Sequence, residues 1–145
     1  MGIVLPPLAA LVLFALWSML LVVAVGAWRS NDVMTGRRRI NEFPSGTQHG
    51  SEMYWRLNRA HLNAVENLPI FGVLVLSGTV LRIPDLSFQV LPSLVLLARI
   101  AQSTIHISSG SPVAVTLRFT AYVVQLLAML WMAFCILGAT GTAQP

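Results

Sequence analysis

Lysine is absent from this 145-residue chain, and all nine of its basic side chains are arginine. Charge of either sign is scarce, at 10% of residues, where a soluble domain carries about 25%. A single cysteine, Cys135, excludes an internal disulfide and a thiolate metal cluster. Within "WMAFCILG" it reads as a buried structural thiol rather than a reactive one. No charged side chain precedes Arg29. The N-terminal apolar run therefore has no basic n-region, exceeds the length of a signal-peptide core, and is expected to remain as a transmembrane helix. The sequence also has no H-x-x-x-H spacing for a metal, no glycine-rich phosphate loop and no hydrolase-type triad.

What is present is oil: 56% hydrophobic residues and a mean hydropathy of +0.75. These values indicate an integral membrane protein, and the length allows one compact all-α domain. A formal charge of +4 could suggest a nucleic-acid partner. The arginines, however, lie at the edges of apolar segments or inside them, so they read as a membrane topology signal and no nucleic acid is expected. Four spans are predicted, at residues 3–28, 51–81, 86–107 and 112–138. Each contains an apolar part near the ~20 residues that a bilayer core requires. Between them lie a long polar loop over 29–50, a tight turn "RIPD" at 82–85, and "SSGS" at 108–111 ahead of Pro112. The first loop carries Arg29, Arg37, Arg38 and Arg39, whereas Arg82 of the second is balanced by Asp85. The positive-inside rule then puts the first loop in the cytoplasm and both termini on the opposite side.

The polar residues inside the spans carry the functional signal. In "RLNRAHLNAVENLPIFG", Arg56, Arg59, Asn63 and Glu66 step by three, four and three, so they share one helical face. His61 points elsewhere, toward a helix or subunit contact. In the third span Arg99, Gln102 and His106 share a face by the same rule. Arg118 lies in the fourth span and can either snorkel to the interface or do chemistry. An isolated charge at such depth costs about 3 kcal/mol or more, so Glu66 and Arg99 are expected to pair. That pair could lock two helices or belong to a ligand site, and intramembrane ion pairs are more often functional. Two polar faces at matching depth imply a wet pocket, rich in arginine forks, for a small anionic ligand. An oily partner would reach it from the bilayer. Arg37, Arg38 and Arg39 read first as topology and headgroup contacts. His49 reads as a solvated loop residue, and Trp28, Tyr54 and Trp55 as an interfacial belt. The rest of the fourth span reads as packing.

"NRAHLNAVENLPIF" resembles the second-helix signature of the membrane-associated proteins in eicosanoid and glutathione metabolism, the MAPEG family. That pattern is approximately R-A-x-x-N-x-x-E-x-x-P-x-F, and Arg59, Ala60, Asn63, Glu66, Pro69 and Phe71 match it. The likeness extends to the whole chain, through four spans, a long basic first loop, a short second loop and an arginine two-thirds along the third helix. It implies a homotrimer of four-helix protomers in a lipid bilayer, with glutathione bound between subunits as co-substrate. The implied activities are transfer of glutathione to a lipophilic small molecule or lipid, and peroxide reduction. By this resemblance Arg59, Asn63, Glu66, Arg99, Gln102 and His106 bind glutathione, and Arg38 or Arg39 closes over it. Arg118 stabilises the thiolate. "QHGSE" is similar to the loop of an endoperoxide-isomerising member and adds His49. Catalytic members have tyrosines on the third helix where Gln102 and His106 stand here. Val113, Ala114 and Val115 replace a serine-arginine pair of the isomerase, so isomerisation is not implied. Two other readings stand beside the enzyme: a lipid- or glutathione-binding protein of the same fold without turnover, and a small transporter or structural bundle.

Overall fold

The computed structural model describes residues 4–141. Among the described residues the chain forms four α-helices and no strand: α1 (Pro7–Met34), α2 (Glu52–Val80), α3 (Leu86–Ser108) and α4 (Pro112–Gly141). All four are long and apolar enough to cross a membrane. The expected start of the first span, at residue 3, lies outside the described residues.

Each helix begins where local chemistry supplies its free N–H groups with acceptors or removes one. Pro7 opens α1 and Pro112 opens α4, at positions where a missing N–H costs nothing. Ser51 caps α2 by accepting from the Tyr54 amide, and Asp85 caps α3 by accepting from Ser87 and Phe88. The turn between α2 and α3 is held by the Ile83 amide donating to the Gly78 carbonyl, with Arg82 in the left-handed region at φ 51°.

The fourth helix runs three residues beyond the expected 138, and the end of the first differs more. The helix α1 does not stop at Trp28 but runs on to Met34 through "RSNDVM". These residues are turn formers, yet here they continue the helix. Arg29 is tied down by its Nε, which donates to the Tyr54 hydroxyl at 2.7 Å, and its guanidinium lies over the Phe43 ring. The helix ends at Thr35, whose hydroxyl donates to the Asn31 carbonyl, followed by Gly36 at φ 69°. This is the left-handed glycine stop that commonly ends helices. The first loop is therefore 35–51, and Arg29 belongs to a helix.

The helices pack as a rhombus. α1 touches α2 and α3, α4 touches the same two, α2 and α3 meet across the short diagonal, and α1 and α4 are not neighbours. The main core cluster includes Phe14, Phe71, Val75, Phe88, Val95 and Met132. Gly78 allows the closest approach in it, because a Cβ there would collide with the Phe88 ring. Cys135 is half-buried against this cluster. A second cluster, with Leu21, Val25, Tyr54 and Leu57, lies toward the end of the bundle that bears the first loop.

Candidate functional site

At the loop-bearing end, α2, α3 and α4 diverge and leave a recess of about 490 Å³. It is lined by Arg59, Asn63, Glu66, Asn67 and Ile70 from α2, and by Gln102 and His106 from α3. From α4 come Val115, Arg118, Phe119 and Tyr122. A neighbouring recess of about 340 Å³ shares Arg59, His106, Val115 and Arg118, and continues toward Arg56, Glu52 and Gln48. Arg59, Asn63 and Glu66 of the α2 stripe therefore meet Gln102 and His106 of the α3 stripe at one place, and Arg118 joins them from a third helix; Arg56 lines only the second recess and Arg99 lines neither.

The charges at this site are not spent on one another. Among the described residues the ion pairs join Arg37 to Asp32, Arg39 to Glu42 and Arg56 to Glu52. Arg59, Glu66 and Arg118 are in none of them. Arg56 is the exception in its stripe. Its Nε donates to the Ile107 carbonyl at 3.1 Å, so it ties α2 to the end of α3. Asn67 is buried and donates to the Asn63 carbonyl at 3.3 Å. The recess thus presents two unpaired guanidinium groups, one carboxylate, amides and an imidazole beside an apolar wall of Ile70, Val115 and Phe119. This arrangement suits a ligand carrying carboxylates and an ammonium group, with room for an apolar reactant.

The expected pair between Glu66 and Arg99 is not formed among the described residues. Arg99 is completely enclosed, its guanidinium lies 5.5 Å from the centre of the Phe14 ring, and none of its three nitrogens has a hydrogen-bond partner among the described residues. Glu66 is exposed. The reason is register. The buried stripe of α2 runs through Ala60, Ala64, Asn67 and Phe71. Glu66 stands about 200° round from Ala64 and about 100° from Asn67, so it points away from that stripe.

Arg38 donates to the Glu42 carbonyl and Arg39 pairs with the Glu42 side chain; both lie in the first loop and line neither recess. His49 is half-buried rather than freely solvated. Its Nδ1 bonds the Thr47 carbonyl, its Nε2 lies 3.3 Å from the Tyr54 hydroxyl, and its ring packs against Phe43, Tyr54 and Trp55. Tyr54 itself is buried beneath this cluster rather than lying in an exposed belt. His61 lines neither recess, in keeping with its direction on α2.

Tyr122 was missed from sequence. It brings a phenol into the recess from α4, one turn beyond Arg118. Arg118, Tyr122 and Gln125 step by four and three, the same signal that exposed the stripes on α2 and α3.

No curated relative matches the chain. The family model described as MAPEG family matches residues 7–138, which spans all four helices up to the last turn of α4. Together with four long apolar helices and the polar recess among them, this match establishes that the chain belongs to the MAPEG family.

Proposed function

We propose that this protein is a glutathione-dependent membrane transferase or peroxidase acting on lipophilic electrophiles. Membership of the family supports a glutathione-related role of this kind at the family level. The observation that carries the reading is the convergence of unpaired Arg59, Glu66 and Arg118 on one recess with Asn63, Gln102 and His106. Glutathione has two carboxylates and one ammonium group. Arg59 is suited to a carboxylate fork and Glu66 to the ammonium. Asn63, Gln102 and His106 supply further hydrogen bonds.

Arg118 has the catalytic role in this account. A fixed cation in a site of low dielectric favours the thiolate over the thiol, which ordinarily has a pKa near 8.5. Bound glutathione supplies that sulfur as the nucleophile. With an aryl halide a carbon–sulfur bond forms and the halide leaves with the bonding electrons; the thiol proton passes to solvent. Phe119, Val115 and Ile70 offer the electrophile an apolar approach from the bilayer.

The exposed position of Glu66 and the open flank of the recess support a site completed by a second copy, and the family resemblance makes that assembly a homotrimer. Arg38 and Arg39 would then close over a neighbour's site, and Arg99 would support it from beneath. The first loop is assigned to the cytoplasm. Presenting a lipid or glutathione without turnover is the second reading. It is favoured by Gln102 and His106 standing where catalytic members carry tyrosines. Purified protein mixed with reduced glutathione and a generic aryl halide separates the two: conjugate formation above the spontaneous rate supports the enzyme, and binding without conjugation supports the carrier.

A further inference from the structure

Gln125 has no exposed surface, yet its side chain is polar. Its Nε2 makes two hydrogen bonds of 3.0 Å, one to the Ala121 carbonyl one turn back on α4 and one to Oε1 of Gln102 on α3. A main-chain carbonyl can only accept. The Ala121 bond therefore decides which end of the Gln125 amide is nitrogen and removes the usual ambiguity of amide orientation. Both N–H groups of Gln125 are consumed. Gln102 must then turn its oxygen toward α4, which leaves its own NH₂ for the recess that it lines. The Gln102 nitrogen is not among the enclosed side-chain atoms that lack a partner, unlike the guanidinium nitrogens of Arg99.

We propose that Gln125 is a positioning residue that makes the inner wall of the recess a hydrogen-bond donor. Through Gln102 it selects a ligand group that accepts there, namely a carboxylate, a peptide carbonyl or a thiolate, and disfavours one that must donate. Packing alone does not account for glutamine at this position. Its Oε1 is buried with no hydrogen-bond partner among the described residues. That is a cost which methionine, of similar shape and without an amide, would avoid. The inference rests on the glutathione reading for the identity of the acceptor, but the orientation of the two amides does not depend on it.

The test has two arms, on the full chain in detergent micelles. In ligand-free ¹⁵N-labelled protein, the side-chain amide protons of Gln125 are expected to exchange with solvent slowly and those of Gln102 quickly. Gln125 exchanging as fast as Gln102 overturns the proposal whether or not glutathione binds. In the second arm, calorimetric titration with reduced glutathione is expected to give about a tenfold weaker Kd for Gln125→Met, a similar loss for Gln102→Met, and no further loss in the double variant. An unchanged Kd in Gln125→Met, or losses that multiply in the double variant, contradicts it. If wild-type protein binds no glutathione while the exchange pattern holds, the proposed function fails and the amide relay stands.

Discussion

An arginine with no carboxylate partner keeps its field for whatever arrives. Arg118 and Arg59 are in that condition, whereas Arg56 is already engaged by Ile107 and Glu52. This difference makes Arg59 and Arg118 the candidates for a ligand and Arg56 a tie between α2 and α3. Thiolate absorbance is expected to rise when protein and reduced glutathione are mixed, to vanish in Arg118→Ala, and to persist in part in Arg118→Lys, which keeps a point charge but loses the planar fork. An unchanged signal in Arg118→Ala would clear that residue. Glu66 makes no ion pair among the described residues, so Glu66→Gln should leave the unfolding midpoint of the ligand-free protein unchanged and weaken glutathione about tenfold. A large fall in stability would instead indicate that Glu66 is a helix lock. Much of this site was readable from spacing, because Arg59, Asn63 and Glu66 repeat at helical intervals in a segment that had no other reason to be polar. Arg99 was harder to read. Its depth suggested a carboxylate partner, but a guanidinium can also lie against an aromatic face, as it does on Phe14. Tyr122 was overlooked because its phenol sits among apolar neighbours in α4.

At the scale of elements, two close contacts set how the helices meet. Gly78 lets the ring of Phe88 seat against the backbone of α2. Gly78→Ala is expected to lower stability by about 2 kcal/mol through overpacking, despite the better helix propensity of alanine, and thermal unfolding in detergent would show it. A midpoint at or above wild type would mean that Phe88 yields easily. At the other end, the charge-assisted bond from Arg29 to Tyr54 fastens the last turns of α1 to α2. Tyr54→Phe should cost on the order of 1.5 kcal/mol and loosen residues 29–34, seen as faster amide exchange there. The extension of α1 explains why its end was misplaced. Ser30, Asn31 and Asp32 favour turns when nothing else acts on them, but Arg29 is anchored from outside the segment. The stop signal itself, Thr35 before Gly36, was present in the sequence. The starts of α2, α3 and α4 were legible because Ser51, Asp85 and Pro112 act locally.

The whole molecule is oily on the outside: Val73, Leu97 and Leu130 are each more than 60% exposed on helices suited to a bilayer. The four helices were the most legible feature of the sequence, since length and apolarity alone decide them. The proposed assembly was not legible, because lipid and a second copy of the chain would ask for the same apolar surface. Native mass spectrometry from detergent is expected to give three copies per particle; a monomer that still binds glutathione would remove the need for a shared site. The central proposal is that the recess between α2, α3 and α4 holds glutathione. Thermal unfolding of the purified protein across a series of millimolar reduced glutathione concentrations tests that most directly. A ligand that binds only the folded state adds about 2.7 kcal/mol at one hundred times its Kd. The expected result is a midpoint that climbs with concentration in wild type and much less in Arg59→Ala. A wild-type midpoint that does not move, or one that moves equally in Arg59→Ala, would contradict it.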